Sequence, residues 1–286
     1  MSPMDLSSTL NEQLERLSAQ SKAQAIAVAV HDLESGLRFS LEGDRWFHAA
    51  STIKVAVLLA LFRAADEGRV RLDDSLHVRN RFISAADASS FHLDRDSDAM
   101  PELYQAIGRT AKISALAEGM IAVSSNLATN LLLDLVGVEY ARKVLRDAQV
   151  EGVELRRGVE DHAAHERRIN NEATANGLLT LLSALRGDFL SSESKEQAIR
   201  ILLEQRFNSM IPAGLPAHAA VAHKTGEIST ACHDMGIVYL PEREPYIAVI
   251  LTEFDLEQNG RRETVAAISE AIYRSVMGME PRSNEH

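Results

Sequence analysis

The chain has 286 residues, enough for one large compact unit or two closely packed lobes. Hydrophobic residues make up 45% of the sequence and charged residues 25%, the usual balance of a soluble globular protein. The formal net charge of −11 argues against a nucleic-acid or anionic-membrane partner, because phosphate groups are bound by basic surfaces.

The first predicted elements are a helix and a hairpin. Apolar residues at helical spacing predict a helix over residues 6–17. A β-prone run over residues 25–30, a turn-rich stretch over 31–36 and alternating polarity from residue 37 to 39 predict the two strands of a hairpin.

The middle of the chain is mostly helical in pattern. Residues 51–67 are apolar on every side, so we expect a centrally buried helix. Residues 79–108 are polar and predict a long surface loop. Further helical patterns cover residues 113–123, 127–135, 175–185 and 193–203.

Strands return near the end of the chain. They are predicted over residues 219–228, 235–240 and 246–254, before a closing amphipathic helix over 261–277. Strands at both ends with helices between them predict an α+β fold: an antiparallel sheet of about five strands, flanked by terminal helices, with an inserted all-helical lobe. We assign the sheet lobe to residues 1–50 and 212–286 and the helical lobe to 51–211, and expect the active site in the cleft between them.

Ser51 and Lys54 open the buried helix at a spacing that places both side chains on one face. A serine hydroxyl becomes a nucleophile when a base takes its proton, and a lysine whose pKa is lowered by burial can be that base. The same spacing occurs at Ser192 and Lys195 on a polar helix, so the pair alone is a weak signal.

Two further motifs contain residues that suit a hydrolase. Lys224, Thr225 and Gly226 lie in a strand of small residues, where glycine lets a ligand approach the backbone, although a lysine there could simply protect a sheet edge. Ser124 and Asn126 lie between two helical patterns and could transfer a proton and hold a substrate amide, or could only cap a helix.

Together and in this order, the motifs Ser-x-x-Lys, Ser-x-Asn and Lys-Thr-Gly resemble those of the class A β-lactamases and penicillin-binding proteins. Residues 124–137 (SSNLATNLLLDLVG) are similar to the helix that carries the family's second motif. The resemblance implies a β-lactamase-like fold and an acyl-enzyme mechanism without a cofactor.

The resemblance also implies the role of each motif residue. Ser51 is expected to be the nucleophile, Lys54 the base and Ser124 the proton relay. Lys224 and Thr225 would bind the substrate carboxylate, beside Gly226. The backbone N–H groups of Ser51 and Glu227 would form the oxyanion hole.

β-Lactamases of this family carry a glutamate, followed four residues later by asparagine, that activates the water which hydrolyses the acyl-enzyme. Glu160 lies at about the family's separation from Asn126, but residue 164, four residues after it, is alanine and not asparagine. Glu166 is followed by Asn170 at the right spacing but lies later in the chain. We prefer Glu160 for this role, the alternative being that either glutamate is a solvated loop carboxylate.

Two departures from the family pattern leave the substrate range open. Ser125 stands where β-lactamases usually have aspartate, and the segment between the first two motifs is longer than in compact penicillinases. We expect serine at position 125 to change how a neighbouring loop is held and not to change the catalytic chemistry. His233 and Asp234 follow the third motif and could border the site.

A metal site is the less favoured interpretation of the cluster Asp161, His162, His165 and Glu166. Histidines three residues apart can share a helix face, but no other part of the sequence supplies matching ligands. We therefore expect no metal and no cofactor.

The sequence thus predicts a β-lactamase that hydrolyses a β-lactam amide through an acyl-enzyme on Ser51. The alternatives are an esterase or a D-Ala-D-Ala carboxypeptidase of the same fold, and a penicillin-binding sensor that is acylated without turnover. The expected partner is a small-molecule substrate, with no nucleic acid and no membrane, and the protein is expected to be a monomer.

The expected compartment rests on the beginning of the chain and on hydropathy. The first twenty residues lack the basic start and apolar core of an export signal, which predicts a cytoplasmic protein, or a periplasmic or secreted one whose signal was trimmed. No run approaches the roughly 18 apolar residues of a membrane helix. Cys232 is the single cysteine, which excludes an internal disulfide.

Overall fold

The structure is a computed structural model that describes residues 3–256 and 258–279. Its helices are α1 (Pro3–Ser21), α2 (Lys54–Asp66), α3 (Ile113–Ala122), α4 (Asn126–Val136), α5 (Val138–Asp147), α6 (His162–Glu166), α7 (Ala175–Arg186), α8 (Ser192–Leu203) and α9 (Arg261–Val276). Its strands are β1 (Ala25–Asp32), β2 (Arg38–Leu41), β3 (Phe47–His48), β4 (Ser75–His77), β5 (Phe82–Ile83), β6 (Ser90–Phe91), β7 (Thr110–Lys112), β8 (Val153–Glu154), β9 (Glu172–Ala173), β10 (Ala220–Ile228), β11 (Ala231–Tyr239) and β12 (Tyr246–Glu253).

The chain divides into two compact units. The first comprises residues 1–52, 174–179 and 207–286, and the second comprises residues 53–173 and 180–206. This division moves the expected boundaries by two to five residues and adds the start of α7 to the first unit.

The first unit contains a five-stranded antiparallel sheet in the order β10-β11-β12-β1-β2. The N-terminal hairpin therefore joins the three C-terminal strands, with Val28 opposite Ile250 and Lys224 opposite Met235. Strands from both ends of a sequence can pair in this way because the backbone hydrogen bonds of a sheet require only that two strands lie side by side in space. The predicted α+β fold and its sheet of about five strands are confirmed.

Helices α1 and α9 cover the sheet with their apolar faces. Leu10 and Leu14 of α1 pack with Ile268 and Ile272 of α9 in the same core as Ile250 of β12. Burial of these side chains contributes on the order of 2 kcal/mol for each one. This packing fixes the position of the sheet and therefore of the residues in β10.

The second unit is built around α2. Every residue from Lys54 to Phe62 is buried, and α2 packs against α3, α4, α5 and α8. An apolar helix with no polar face is stable only when other helices surround it, as predicted for this segment. Lys54 is the charged residue in this buried run.

Several local features differ from the sequence prediction, among them the following three. The helix expected from residue 51 begins as a 3-10 turn, Ala50–Ile53, and becomes α-helical at Lys54. Strand β11 begins at Ala231, four residues early, because its polar start is buried and paired. The long loop contains the hairpin β5–β6 and two 3-10 turns.

Within the part of the chain that the structure describes, no helix combines the length and the apolar character needed to span a bilayer.

Candidate active site

Ser51 lies in the 3-10 turn that leads into α2, and its side chain is half-buried. The preceding residue, Ala50, has a φ of +46°, a conformation that strains a residue with a Cβ and persists only when neighbouring contacts hold it. Two hydrogen bonds provide such contacts. Ala50 N donates to His48 Nδ1 at 3.1 Å, and Thr52 Oγ1 donates to Ala49 O at 2.6 Å. The turn therefore holds Ser51 in a defined position.

Strand β10 passes directly against this turn. A Cβ added to Gly226 would lie 3.1 Å from Ser51 N and 3.0 Å from Thr52 N, which is tighter than almost all real contacts. Glycine is thus needed for the close approach of the two backbones. Lys224 is fully buried on the same strand, and its Nζ donates to Thr225 O at 2.8 Å. The first unit thus brings Ser51 and the Lys-Thr-Gly motif together.

Lys54 is fully buried in the second unit, surrounded by three acceptors. Its Nζ donates to Ser124 O at 2.6 Å, to Ser124 Oγ at 3.0 Å and to Asn126 Oδ1 at 2.7 Å. Three acceptors match the three N–H bonds of an ammonium group. Burial opposes that charge, however, and lowers the pKa of Lys54 to about 7.

The second motif lies at the junction of α3 and α4. Ser124 has a φ of +61°, and Ser125 caps α4 by accepting a hydrogen bond from Ala128 N. The residue that caps the helix is therefore Ser125, whereas the oxygens of Ser124 and Asn126 accept from Lys54. The second unit brings Lys54, Ser124 and Asn126 into one hydrogen-bonded group.

Glu160 belongs to the same group. Its Oε1 accepts a hydrogen bond from Asn126 Nδ2 at 3.2 Å, and its charge acts to raise the pKa of Lys54. Glu160 has a φ of +58° and an exposed side chain. Glu166 is exposed at the end of α6.

The backbone before Glu160 is held by a residue that the sequence analysis missed. The buried side chain of Asn130 accepts from Val159 N at 2.8 Å and donates to Val159 O at 2.9 Å. The side-chain amide of Asn130 thus satisfies both backbone polar groups of one residue, Val159, which ties the loop to α4. An asparagine one turn after Asn126 within an apolar helix was the available signal.

His233 and Asp234, whose role the sequence left open, are both buried within the first unit. His233 Nε2 lies 3.0 Å from His48 O, and Thr252 N donates to its Nδ1 at 3.1 Å, which makes Nε2 the protonated nitrogen. His233 therefore links β11 and β12 to the segment before Ser51. Asp234 lies 3.0 Å from the ring of His223.

The other sequence features have ordinary structural roles. Ser192 lies in the exposed first turn of α8, and Lys195 forms an ion pair with Asp188 at 3.7 Å. In the segment 161–166, where a metal site was the less favoured interpretation, His165 Nδ1 lies 3.0 Å from Asn170 Oδ1. Among the described residues, no group of three histidine, cysteine or acidic side chains is arranged to hold a metal ion.

Known proteins are similar to this chain over most of its length. Residues 9–276 match the Beta-lactamase2 family, described as the beta-lactamase enzyme family. The chain is 27% identical to Beta-lactamase ROB-1 of Haemophilus influenzae, over 94% of this chain and 85% of that protein.

Two solved structures are similar over nearly the whole fold. A mutant of PBP-A, solved as an acyl-enzyme complex with penicillin G, is 27% identical with a TM-score of 0.81, covering 95% of this chain and 97% of that one. An ancestral class A β-lactamase is 26% identical with a TM-score of 0.79, covering 93% and 99%. The chain belongs to the beta-lactamase enzyme family.

Proposed function

We propose that this protein hydrolyses the amide bond of a β-lactam through a covalent acyl-enzyme on Ser51. Membership of the family makes the chain a serine hydrolase of the β-lactamase type. The proposal adds the residues and their roles.

The observation that carries the proposal is the environment of Lys54. At a pKa of about 7, about half of the buried amine is neutral at neutral pH and can accept a proton. Lys54 follows Ser51 by one helical turn, so the proton to be accepted is that of the Ser51 hydroxyl. Attack of Ser51 Oγ on the carbonyl carbon then opens the β-lactam ring and leaves an ester.

The remaining roles follow from charge and hydrogen bonding. Ser124 Oγ, which contacts Lys54 Nζ, would carry the proton to the departing ring nitrogen. The buried cation of Lys224 and the hydroxyl of Thr225 would bind the substrate carboxylate. The N–H groups of Ser51 and Glu227 flank the close approach at Gly226 and would stabilise the oxyanion.

For deacylation we propose Glu160 rather than Glu166. The hydrogen bond from Asn126 and the brace by Asn130 hold Glu160 next to the group around Lys54. Its exposed carboxylate can take a proton from a water molecule, which then attacks the ester.

Intact-protein mass spectrometry after mixing with penicillin G tests the nucleophile. We expect an adduct of one penicillin that appears and then clears. Ser51→Ala should form no adduct and lower kcat/KM by about a thousandfold or more while the fold is kept. Ser192→Ala is the matched control, because Ser192 heads the other Ser-x-x-Lys motif, and it should behave as wild type. Residual turnover near wild type in Ser51→Ala would contradict the assignment.

A second candidate function is acylation by a β-lactam that is then not hydrolysed, as in a penicillin-binding sensor or in a D-Ala-D-Ala carboxypeptidase, which turns over a peptide instead. Two observations favour it: residue 164, four after Glu160, is alanine, and the similar PBP-A mutant was solved with penicillin G attached. An adduct that persists would support this function. No adduct, with turnover of a simple ester, would support the esterase.

A further inference from the structure

Asp98 is a buried carboxylate in the polar loop between the first two motifs. It is only 7% exposed, although Asp94 and Asp96 just before it are exposed. A buried carboxylate is costly unless several donors satisfy it, so its contacts indicate its role.

Of the four donors to Asp98 among the described residues, two come from the segment that carries the second motif, and two come from its own loop. Its Oδ2 accepts from Leu127 N at 2.8 Å and from Ser125 Oγ at 3.3 Å. Tyr104 OH also donates to Oδ2, at 3.3 Å, and Met100 N donates to Oδ1 at 2.9 Å. Leu127 is the second residue of α4, where backbone N–H groups have no partner within the helix.

The hydroxyl of Ser125 links this carboxylate to the helix. Ser125 Oγ accepts from Ala128 N at 3.2 Å and donates its own proton to Asp98. Asp98 and Ser125 therefore cap the first turn of α4 together, and the negative charge lies at the positive end of the helix.

We propose that Asp98 is a positioning residue for catalysis: from a distant loop it supplies the carboxylate that residue 125 lacks, and so fixes Ser124 and Asn126 around Lys54. This inference rests on the proposed function. Ser124 needs such support because its φ of +61° is strained for a residue with a Cβ.

Asp98 also acts on the base through its charge. Within the same unit, Asp98 and Glu160 are the charged groups that raise the pKa of Lys54 against the lowering effect of burial. Removing the charge of Asp98 should therefore lower the pKa of Lys54 further.

The test is the pH profile of acylation by penicillin G in Asp98→Asn, a variant of nearly the same volume. The amide oxygen can still accept hydrogen bonds, but the amide NH2 group would face N–H and O–H groups that are themselves donors. We expect acylation at neutral pH to slow by at least about tenfold. The acidic limb, near pH 7 in wild type, should move about one unit lower, because a more acidic solution is then needed to protonate Lys54.

Moving the carboxylate provides the decisive variant. Asp98→Asn combined with Ser125→Asp restores a carboxylate at the start of α4, and we expect it to recover most of the acylation rate and the wild-type acidic limb. Asp94→Asn is the control, since Asp94 also accepts hydrogen bonds in this loop but contacts none of the motif. It should leave the profile unchanged.

The outcomes separate this inference from the proposed function. If wild type forms no adduct, the proposed function has failed. If wild type is acylated but Asp98→Asn keeps its rate and profile, or loses rate with an unmoved acidic limb, the positioning role is wrong. If Asp98→Asn alone does not fold, the double variant decides. Recovery of the acylation rate and of the wild-type acidic limb supports the positioning role of Asp98. A double variant that folds but is acylated slowly overturns it.

Discussion

Glu160 and Glu166 are two carboxylates six residues apart that have different surroundings. Both are exposed, but only Glu160 is hydrogen-bonded to the second motif, through Asn126. Glu160→Gln should therefore leave acylation by penicillin G nearly unchanged and lengthen the lifetime of the adduct by about a hundredfold or more, because a neutral amide cannot take a proton from water. Time-resolved mass spectrometry of the adduct measures both steps.

Glu166→Gln is the matched control for that variant, since it makes the same chemical change on the same loop. Its adduct should clear at the wild-type rate. A long-lived adduct in Glu166→Gln, with normal clearance in Glu160→Gln, would transfer the deacylation role to Glu166.

At the scale of elements, the critical contact is between β10 and the turn Ala50–Ile53. Gly226→Ala introduces a Cβ about 3.0 Å from Thr52 N and 3.1 Å from Ser51 N, so one backbone must shift by a few tenths of an ångström. A shift of this size would misalign the N–H groups proposed as oxyanion donors, and we expect acylation to slow by about tenfold to a hundredfold. Stopped-flow or quenched measurement of adduct formation provides the rate.

Ala220→Ser changes an exposed residue at the start of the same strand and should alter neither rate nor stability. Acylation by Gly226→Ala at the wild-type rate would show that the close approach of β10 has no part in catalysis.

At the scale of the whole molecule, His233 couples stability to pH. Burial lowers the pKa of His233 to about 4, against about 6.5 in an unfolded chain, so the folded state holds the neutral ring. The unfolded state then binds the proton more readily, and stability is complete above about pH 6.5 and is lost as the pH falls towards 4. The loss from this group should reach about 2 kcal/mol at about pH 5.

His233→Gln isolates this effect, because glutamine keeps a donor for His48 O and an acceptor for Thr252 N but cannot titrate. Urea unfolding, followed by the fluorescence of the single tryptophan, Trp46, should show a smaller loss of stability in acid than in wild type. His218→Gln, which replaces an exposed histidine, is the control and should lose as much stability in acid as wild type does. An equal loss in His233→Gln would refute the coupling.

The sequence by itself determined the family, the fold class and the motif residues. The order of Ser51, Ser124 and Lys224 along the chain and the unbroken apolar run of α2 were sufficient, because they depend on local patterns with few structural solutions. The short elements of the long loop were not predictable, since their polar residues have no regular period.

Only the tertiary structure decided which remote groups meet. Asp98 resembles its exposed acidic neighbours in sequence, and it is distinguished only by its burial beside Leu127 and Ser125. The sequence separation already favoured Glu160 over Glu166, but the hydrogen bond that Glu160 accepts from Asn126 was visible only in the tertiary structure. Hydrogen bonds across long stretches of chain leave no periodic trace in the sequence, because any loop of suitable length can bring a carboxylate to the same donor.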